Sequence, residues 1–364
     1  MLGKETFEKL ASQVEFPPLN VVEVDYAPAL RATSDYQRWM RNRPDLLVDL
    51  EWQGEREQFL VELKQRSTPS DVEGAIRQLQ GYLQAFAPSR PGRELRLMVM
   101  APYLSPEALD RLSAENISGI DFSGNGVVTI PGKWFVYRTG APNRFPSSAP
   151  IKNVFSGSSS LVARAFLLRR EFPSVGEVQE EISRRGGSIS LPTVSKVLKT
   201  LEEELIIGKG ETIRLLDAKR LLDQLLKNYR EPRVRRRLKI KVGSFEDALS
   251  QFKSNADRDE VLVAGDSPSR YVVMPSVDAL RIYTSSTEGL LRGVDFEETT
   301  RFPSFELVET SDQTVYFDRR KGDGFYWTSP IQVYLELAAG GKREQETAAQ
   351  LREDLLEFRF GVSE

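Results

Sequence analysis

The N-terminal part of the chain alternates between strand-like and helix-like hydrophobic patterns. Residues 45–52 and 58–65 are short apolar runs separated by the polar residues 53–57, which is the pattern of a β-hairpin. Residues 71–86 carry apolar side chains at helical spacing, with Asp71 as the N-cap. The later patterns are a buried strand over 94–104, a helix over 105–116 and two short strands around an Asn-Gly turn within 119–132. With a helix ahead of the hairpin, the order α-β-β-α-β-α-β predicts an α/β sandwich.

The middle of the chain has the pattern of three helices followed by a hairpin. The helical patterns cover 158–172, 174–186 and 190–204, and the hairpin pattern covers 205–217. Ser174 is the predicted N-cap of the second helix, with Glu177 at the capping-box position. Ser190 opens the third helix, and Pro192 lies in its first turn.

The third of these helices is predicted to have one apolar and one polar face. The apolar face consists of Val194, Val197, Leu198 and Leu201. The polar face is small and cationic, as is typical of a helix that enters a major groove, and consists of Ser190, Pro192, Thr193, Ser195, Lys196, Lys199 and Thr200. The whole pattern resembles the winged helix-turn-helix class, which implies that the third helix reads bases and that Lys209 in the wing contacts phosphate. The alternative is a small helical domain with solvated lysines.

Two shifts in composition divide the chain. A stretch rich in Pro, Ser and Gly predicts a linker over 138–151, and a dense basic run predicts a connector over 231–243. Arg235, Arg236 and Arg237 in that run are candidate phosphate contacts, and the alternative is a solvated spacer. The predicted domains are therefore 1–137, 152–230 and 244–364.

Glu62 and Lys64 are the candidate catalytic residues of the N-terminal domain. Because side chains alternate along a strand, these two point to one face, about 6–7 Å apart. Asp45 stands where the preceding strand begins, and two carboxylates with the Leu63 carbonyl would suit Mg²⁺. Lys64 is then placed to orient or deprotonate an attacking water. An ordinary strand with a charged outer face is the alternative, and Asp49 competes with Asp45 for the acidic position.

The helix after this hairpin carries Gln78 and Tyr82 one turn apart. Together with Pro44-Asp45 and Glu62-Leu63-Lys64, they resemble the PD-(D/E)xK nuclease fold, and in particular its RecB-like branch. The resemblance covers about residues 1–130 and implies a restriction-endonuclease-like α/β sandwich. The site that it implies consists of Asp45, Glu62, Leu63, Lys64, Gln78 and Tyr82, with Mg²⁺ or Mn²⁺ as the cofactor of an active enzyme. Many relatives carry a glutamate on the first helix, for which Glu8 is a candidate.

The C-terminal part has strand patterns followed by two helices, which predicts a mixed α+β domain. Residues 325–353 resemble the C-terminal region of AbiEi-like antitoxins and regulators of type IV toxin–antitoxin systems, as do the phrases at 153–168, 191–204 and 221–229. This resemblance spans most of 152–364 and implies DNA-binding transcriptional control, with a toxin or other protein as a partner. Short antitoxins of this class lack the nuclease-like domain, so this chain departs from their pattern.

The amino-acid composition excludes several kinds of catalytic and metal-binding site. The chain has 364 residues without cysteine or histidine, which excludes disulfides, thiolate sites, imidazole metal ligands and histidine general bases. Its net charge of −3 means that DNA contact requires local basic surface. No apolar stretch approaches the ~20 residues of a membrane span, and no signal core is present at the N-terminus, so we expect a cytoplasmic bacterial protein.

Two functional hypotheses result. The first is a regulator that binds double-stranded DNA through the winged helix, with the C-terminal domain available for a protein partner or a homodimer. The second is a Mg²⁺-dependent DNA endonuclease that the winged helix targets. The regulator hypothesis accounts for more of the chain. The sequence alone does not decide whether the nuclease-like site is active.

Overall fold

The chain combines helices and sheets in two compact units, Met1–Pro150 and Ile151–Glu364. The computed structural model describes residues 10, 14–26, 44–86, 96–145, 153–256, 262–263, 279–322 and 325–358. The predicted mixture of α and β structure in a multi-unit chain is thereby confirmed. Glu8 and the helix predicted before the hairpin lie outside the described residues. Among the described helices, none is both long and apolar enough to cross a membrane.

The N-terminal unit is built on a seven-stranded sheet whose strand order follows the chain. Its strands are β1 (Asn20–Tyr26), β2 (Leu46–Trp52), β3 (Glu55–Leu63), β4 (Arg96–Ala101), β5 (Ser118–Asp121), β6 (Gly126–Ile130) and β7 (Trp134–Arg138). The β2–β3 hairpin turns at Gln53 and Gly54, which both have positive φ. β3, β4 and β5 are parallel, so their carboxyl ends meet at one edge of the sheet.

Two helices, α1 (Pro69–Phe86) and α2 (Pro106–Ala114), pack on one face of this sheet. Leu79 of α1 and Leu109 of α2 share a hydrophobic cluster with Leu60 of β3. The other face of the sheet has its own cluster, which includes Phe59 and Trp134. The alternation of buried side chains along β3 therefore directs Leu60 and Glu62 towards α1.

The C-terminal unit begins with four α-helices and a small sheet. The elements are α3 (Ser160–Leu168), β8 (Glu171–Phe172), α4 (Val175–Arg184), α5 (Leu191–Glu203), β9 (Ile207–Lys209), β10 (Ile213–Leu215) and α6 (Ala218–Lys227). Ser174 caps α4 by accepting a hydrogen bond from the Glu177 backbone N–H at 3.2 Å, as predicted. Ser190 occupies the N-cap position of α5, but its hydroxyl contacts the Thr193 hydroxyl instead of a backbone N–H.

A second seven-stranded sheet follows in the same unit. Its strands are β11 (Arg236–Val242), β12 (Leu262–Val263), β13 (Leu280–Thr284), β14 (Phe296–Glu298), β15 (Phe305–Glu309), β16 (Arg320–Gly322) and β17 (Phe325–Trp327). Their order in the sheet is β14-β11-β15-β13-β12-β17-β16. The helices of this part are α7 (Phe245–Asn255), α8 (Thr287–Leu290), α9 (Gln313–Tyr316), α10 (Pro330–Ala339) and α11 (Lys342–Leu356). Most of the residues assigned to a basic connector thus form β11, because Leu238 and Ile240 alternate with its cations and are buried.

The last two helices complete the core around α3 and α6. Ile331 and Leu335 of α10 and Leu351 of α11 belong to the same hydrophobic cluster as Phe166 of α3 and Leu221 of α6. Segments far apart in sequence therefore bury one another's apolar faces within this unit.

Replacing Gly126 by alanine should lower the free energy of unfolding by about 1–3 kcal/mol. A Cβ at Gly126 would lie 2.7 Å from the Gly119 carbonyl oxygen and 2.7 Å from the Phe16 ring, and that space is already filled. Gly74→Ala is the matched control, because a Cβ there meets nothing within 4 Å and alanine favours the helix by about 1 kcal/mol. Denaturant-induced unfolding measures both variants, and parent-like stability of Gly126→Ala would contradict the close packing.

Candidate functional site

The carboxylate of Glu62 lies almost entirely away from water at the end of β3. Glu62 is 4 % exposed. Leu63 is the last residue of the strand, and Lys64 follows it. The Lys64 ammonium donates a hydrogen bond to Glu62 Oε1 at 2.9 Å. The alternation of the strand therefore brings these two side chains together, as the sequence predicts.

Helix α1 completes a hydrogen-bonded network with this pair. The Tyr82 hydroxyl donates to Glu62 Oε2 at 2.8 Å, and Lys64 Nζ donates to Gln78 Oε1 at 3.2 Å. Gln78 Nε2 in turn donates to the Tyr82 hydroxyl oxygen at 2.7 Å. The spacing of four residues places Gln78 and Tyr82 on one face of α1, so a single helix supplies both groups. We call Glu62, Lys64, Gln78 and Tyr82 the Glu62 network.

Asp45 lies beside this network at the start of the neighbouring strand. Its backbone N–H donates to the Val61 carbonyl at 3.0 Å, and its Oδ2 accepts from the Leu63 backbone N–H at 2.8 Å. Asp45 itself is exposed to solvent. The structure thus brings one exposed and one buried carboxylate to the same end of the β2–β3 hairpin.

The environment raises the pKa of Glu62 above its ordinary value of 4.5. Burial is the largest cause, the negative charge of Asp45 adds to it, and the hydrogen bonds from Lys64 and Tyr82 act in the opposite direction. The pKa of Tyr82 is also raised, first by burial and then by the charge of Glu62. Tyr82 is therefore a protonated donor at neutral pH.

Asp49, the competing acid, is engaged elsewhere on the hairpin. Arg56 Nε donates to Asp49 Oδ2 at 2.8 Å, and Gln58 Nε2 donates to Asp49 Oδ1 at 2.9 Å. Asp49 pairs with Gln58 across the hairpin, four residues from Glu62 and hence about 13 Å along β3. Asp45, not Asp49, therefore accompanies Glu62.

The donor atoms at this site suit a hard divalent cation. The Asp45 and Glu62 carboxylates and the Leu63 carbonyl are the oxygen ligands that could hold Mg²⁺ or Mn²⁺. Within the described parts of the chain, no cluster of three or more acidic side chains could hold a metal ion. Two carboxylates are compatible with Mg²⁺, which usually retains several waters. The Lys64 ammonium binds Glu62, and the negative charge of Asp45, after burial, raises the pKa of the same carboxylate.

Helix α5 presents the second candidate surface. Val194, Val197, Leu198 and Leu201 are buried, as the pattern predicts. The opposite side is exposed at Ser190, Pro192, Ser195, Lys196 and Lys199, and partly exposed at Thr193 and Thr200. Across the residues that the structure describes, neither lysine of α5 has an ion-pair partner.

The other predicted phosphate contacts have acidic neighbours. Lys209 of the β9–β10 hairpin lies 2.9 Å from Glu202 of α5. Arg236 lies 3.8 Å from Glu298, whereas Arg237 approaches Glu231 at 3.6 Å and Glu306 at 3.4 Å. Arg235 is exposed, and its backbone N–H donates to the Glu309 carbonyl at 2.8 Å. Sequence reasoning missed Glu298 and Glu306 because folding brings them to the arginines of β11 from distant positions, and it missed the nearer Glu202 and Glu231 because their contacts depend on the turns between them and the cations.

Substituting Glu62 by glutamine should make the stability of the protein less dependent on pH. Because the pKa of Glu62 is higher in the folded than in the unfolded state, the stability that its protonated form contributes is complete below the unfolded pKa. That contribution is lost as the pH rises through the folded pKa, at up to about 1.4 kcal/mol per pH unit. The unfolding free energy of Glu62→Gln minus that of the parent should therefore increase from about pH 4 to about pH 7. A difference that stays constant or decreases over that range would contradict the raised pKa.

Comparison of the chain with family models, curated protein sequences and solved structures found no match. The assignment of a function therefore depends on the geometry of the two candidate surfaces, the Glu62 network with Asp45 and the exposed side of α5.

Proposed function

We propose that the chain binds double-stranded DNA through a winged helix-turn-helix, in which α4 and α5 form the helix-turn-helix and β9–β10 the wing. The observation that carries this proposal is the division of α5 into two faces. One face is fixed in the core by four aliphatic residues, and the other presents small polar side chains with Lys196 and Lys199 unpaired within the described structure. A helix with this surface fits the major groove, which is about 12 Å wide.

The charge distribution supports local rather than general DNA contact. The chain carries a net charge of −3, so nonspecific attraction by the whole surface is weak. The small residues Thr193 and Ser195 allow the backbone of α5 to approach base edges, while the lysines supply charge. The Lys209–Glu202 pair is partly exposed, with side-chain exposures of 32 % and 43 %, and such a pair can exchange its carboxylate for a phosphate at little cost.

The role that fits this binding is a transcriptional regulator related to AbiEi-like antitoxins. The resemblance of residues 152–364 to that class supports this role. A toxin or other protein partner, a homodimer and a cytoplasmic location belong to the same proposal.

Changing both Lys196 and Lys199 to alanine should weaken duplex binding and reduce its salt dependence. Each lost phosphate contact lowers the slope of log K against log salt by about 0.9. Lys219→Ala with Lys227→Ala is the matched control, because both lysines are exposed on α6 and the change in net charge is the same. Fluorescence anisotropy with labelled duplexes at several salt concentrations measures the effect. Parent-like binding by the α5 variant would show that α5 is not the binding helix.

A second candidate function is a Mg²⁺-dependent deoxyribonuclease in the N-terminal unit, with a restriction-endonuclease-like fold. The Glu62 network favours it, since Gln78 and Tyr82 fix both the carboxylate and the ammonium in place. Asp45, Glu62 and the Leu63 carbonyl would hold the cation, which would supply charge stabilisation at a scissile phosphate. Lys64, hydrogen-bonded to both Glu62 and Gln78, would orient the attacking water.

If the chain is a nuclease, Lys64→Ala should reduce Mg²⁺-dependent DNA cleavage by about 100-fold or more and leave duplex binding unchanged. Asp45→Asn should have a comparable effect, because it removes one carboxylate from the cation site. Asp49→Asn is the matched control and should retain cleavage, since Asp49 is held by Arg56 and Gln58 away from the site. Gel assays on duplex, branched and single-stranded DNA measure cleavage. Failure of the parent protein to cut any of them with Mg²⁺ or Mn²⁺ would exclude this second function.

A further inference from the structure

A short segment of the C-terminal unit contacts the turn between α4 and α5. We call residues 313–318, which comprise α9 and the two residues after it, the docking segment. Gln313 Oε1 accepts a hydrogen bond from the Ser188 backbone N–H at 2.8 Å. At the other end, the Asp318 backbone N–H donates to the Arg185 carbonyl at 2.9 Å, and the Arg185 guanidinium donates to the Asp318 carboxylate. Both ends of the segment therefore bind the turn.

The middle of the docking segment packs against the same turn. A Cβ added to Gly187 would lie 3.1 Å from the Phe317 ring and 2.7 Å from Ile182 of α4. Phe317 is fully buried and belongs to the hydrophobic cluster that contains the apolar face of α5. The turn therefore packs tightly between Ile182 and Phe317, and any side chain at position 187 would force a shift, first of Ile182.

The docking segment also holds the first helix of the proposed winged helix-turn-helix. Arg164 of α3 is 2 % exposed, and its Nη1 donates to the Thr314 carbonyl at 3.1 Å and to Gln332 Oε1 at 3.0 Å. The Gln332 amide in turn donates to Glu336 at 2.8 Å, and the Tyr283 hydroxyl of β13 donates to the same carboxylate at 2.9 Å. The segment is therefore fixed to α3, to the α4–α5 turn and, through α10, to the large sheet.

These contacts matter for α5 because the turn sets where that helix begins. Ser188 is two residues ahead of Ser190, the N-cap of α5. The angle at which α5 leaves the turn determines which of its side chains reach base edges, and a displacement of about 1 Å is enough to break a hydrogen bond to a base. The turn itself is short and carries two glycines, Gly186 and Gly187, so its conformation depends on its neighbours.

We propose that Gln313 and Asp318 are positioning residues that fix the orientation of α5 for sequence-specific DNA recognition. This inference rests on the proposed DNA-binding function. It assigns to the segment between β15 and β16 a role in specificity, although that segment lies more than 100 residues after α5 in the chain (Gln313 is 125 residues from its contact Ser188). Phosphate contacts by Lys196 and Lys199 depend less on the exact angle, so specificity should be affected more than general affinity.

The experiment compares full-length variants on two DNA probes. The first probe is a duplex selected from a random-sequence library by binding to the parent protein, and the second is a scrambled duplex of the same composition. Gln313→Ala with Asp318→Asn should lower affinity for the selected duplex by about 10-fold and leave affinity for the scrambled duplex within about 2-fold. Glu288→Gln, at an exposed site on α8, is the control for loss of one carboxylate and should behave as the parent does.

A rescue variant separates positioning from a loss of folding. Gln313→Glu keeps an oxygen acceptor for the Ser188 N–H and should restore selectivity, whereas Gln313→Ala alone should not. Circular dichroism melts establish that each compared variant is folded. If the double variant unfolds, the comparison of Gln313→Ala with Gln313→Glu provides the same test.

The outcomes distinguish this inference from the proposed function. If the docking-segment variants keep the parent's preference for the selected duplex, while Lys196→Ala with Lys199→Ala loses binding, the positioning role is wrong and the DNA-binding function stands. If the α5 lysine variant binds as the parent does, the placement of the DNA-binding surface is wrong and the inference fails with it.

Discussion

A carboxylate that is almost entirely removed from water must be held by hydrogen-bond donors, and this constraint determines how β3 and α1 meet. Burial and the charge of Asp45 both act against the ionised form of Glu62. Lys64, just after the strand, and Tyr82 of the helix each bind one of its oxygens, and Gln78 links the two donors. The register of α1 on the sheet is therefore fixed by polar contacts as well as by Leu79 in the core. A one-residue shift of α1 would leave a buried carboxylate with one donor fewer.

The C-terminal unit contains a buried positive charge, the guanidinium of Arg164. Burial lowers the pKa of the Arg164 guanidinium to about 10, so it is still cationic at neutral pH. Its hydrogen bonds run to the Thr314 carbonyl and Gln332, and through Gln332 to the carboxylate of Glu336. This relay connects α3 with the docking segment and α10. Apolar packing in the shared cluster holds these elements together, and the directional polar contacts fix their relative orientation.

Sequence patterns predicted the features that depend on local periodicity. The buried face of α5, the capping of α4 by Ser174, the β2–β3 hairpin and the shared face of Gln78 and Tyr82 all follow from spacing along one element. What the patterns could not give are contacts between elements. The placement of Arg236 and Arg237 in a strand depends on their pairing with β15, which comes about 70 residues later in the chain. The choice between Asp45 and Asp49 required the contacts of Arg56 and Gln58, and the docking segment required the fold of the whole unit.

The Glu62–Lys64 pair, in which Glu62 is buried and Lys64 is partly exposed, bears on function because stability alone does not explain it. Removing a charge such as the Glu62 carboxylate from water costs on the order of several kcal/mol, and apolar residues of similar volume often stabilise a fold as well or better. The core next to the end of β3 is apolar and includes Leu60 and Leu79. Instead, the site retains a carboxylate with a raised pKa, an ammonium bound to it and a second carboxylate at Asp45. Such an arrangement carries a cost in folding free energy that a cation-binding or DNA-binding role would explain. The cation site that we propose at Asp45 and Glu62 would account for this cost, independently of the surface that α5 presents.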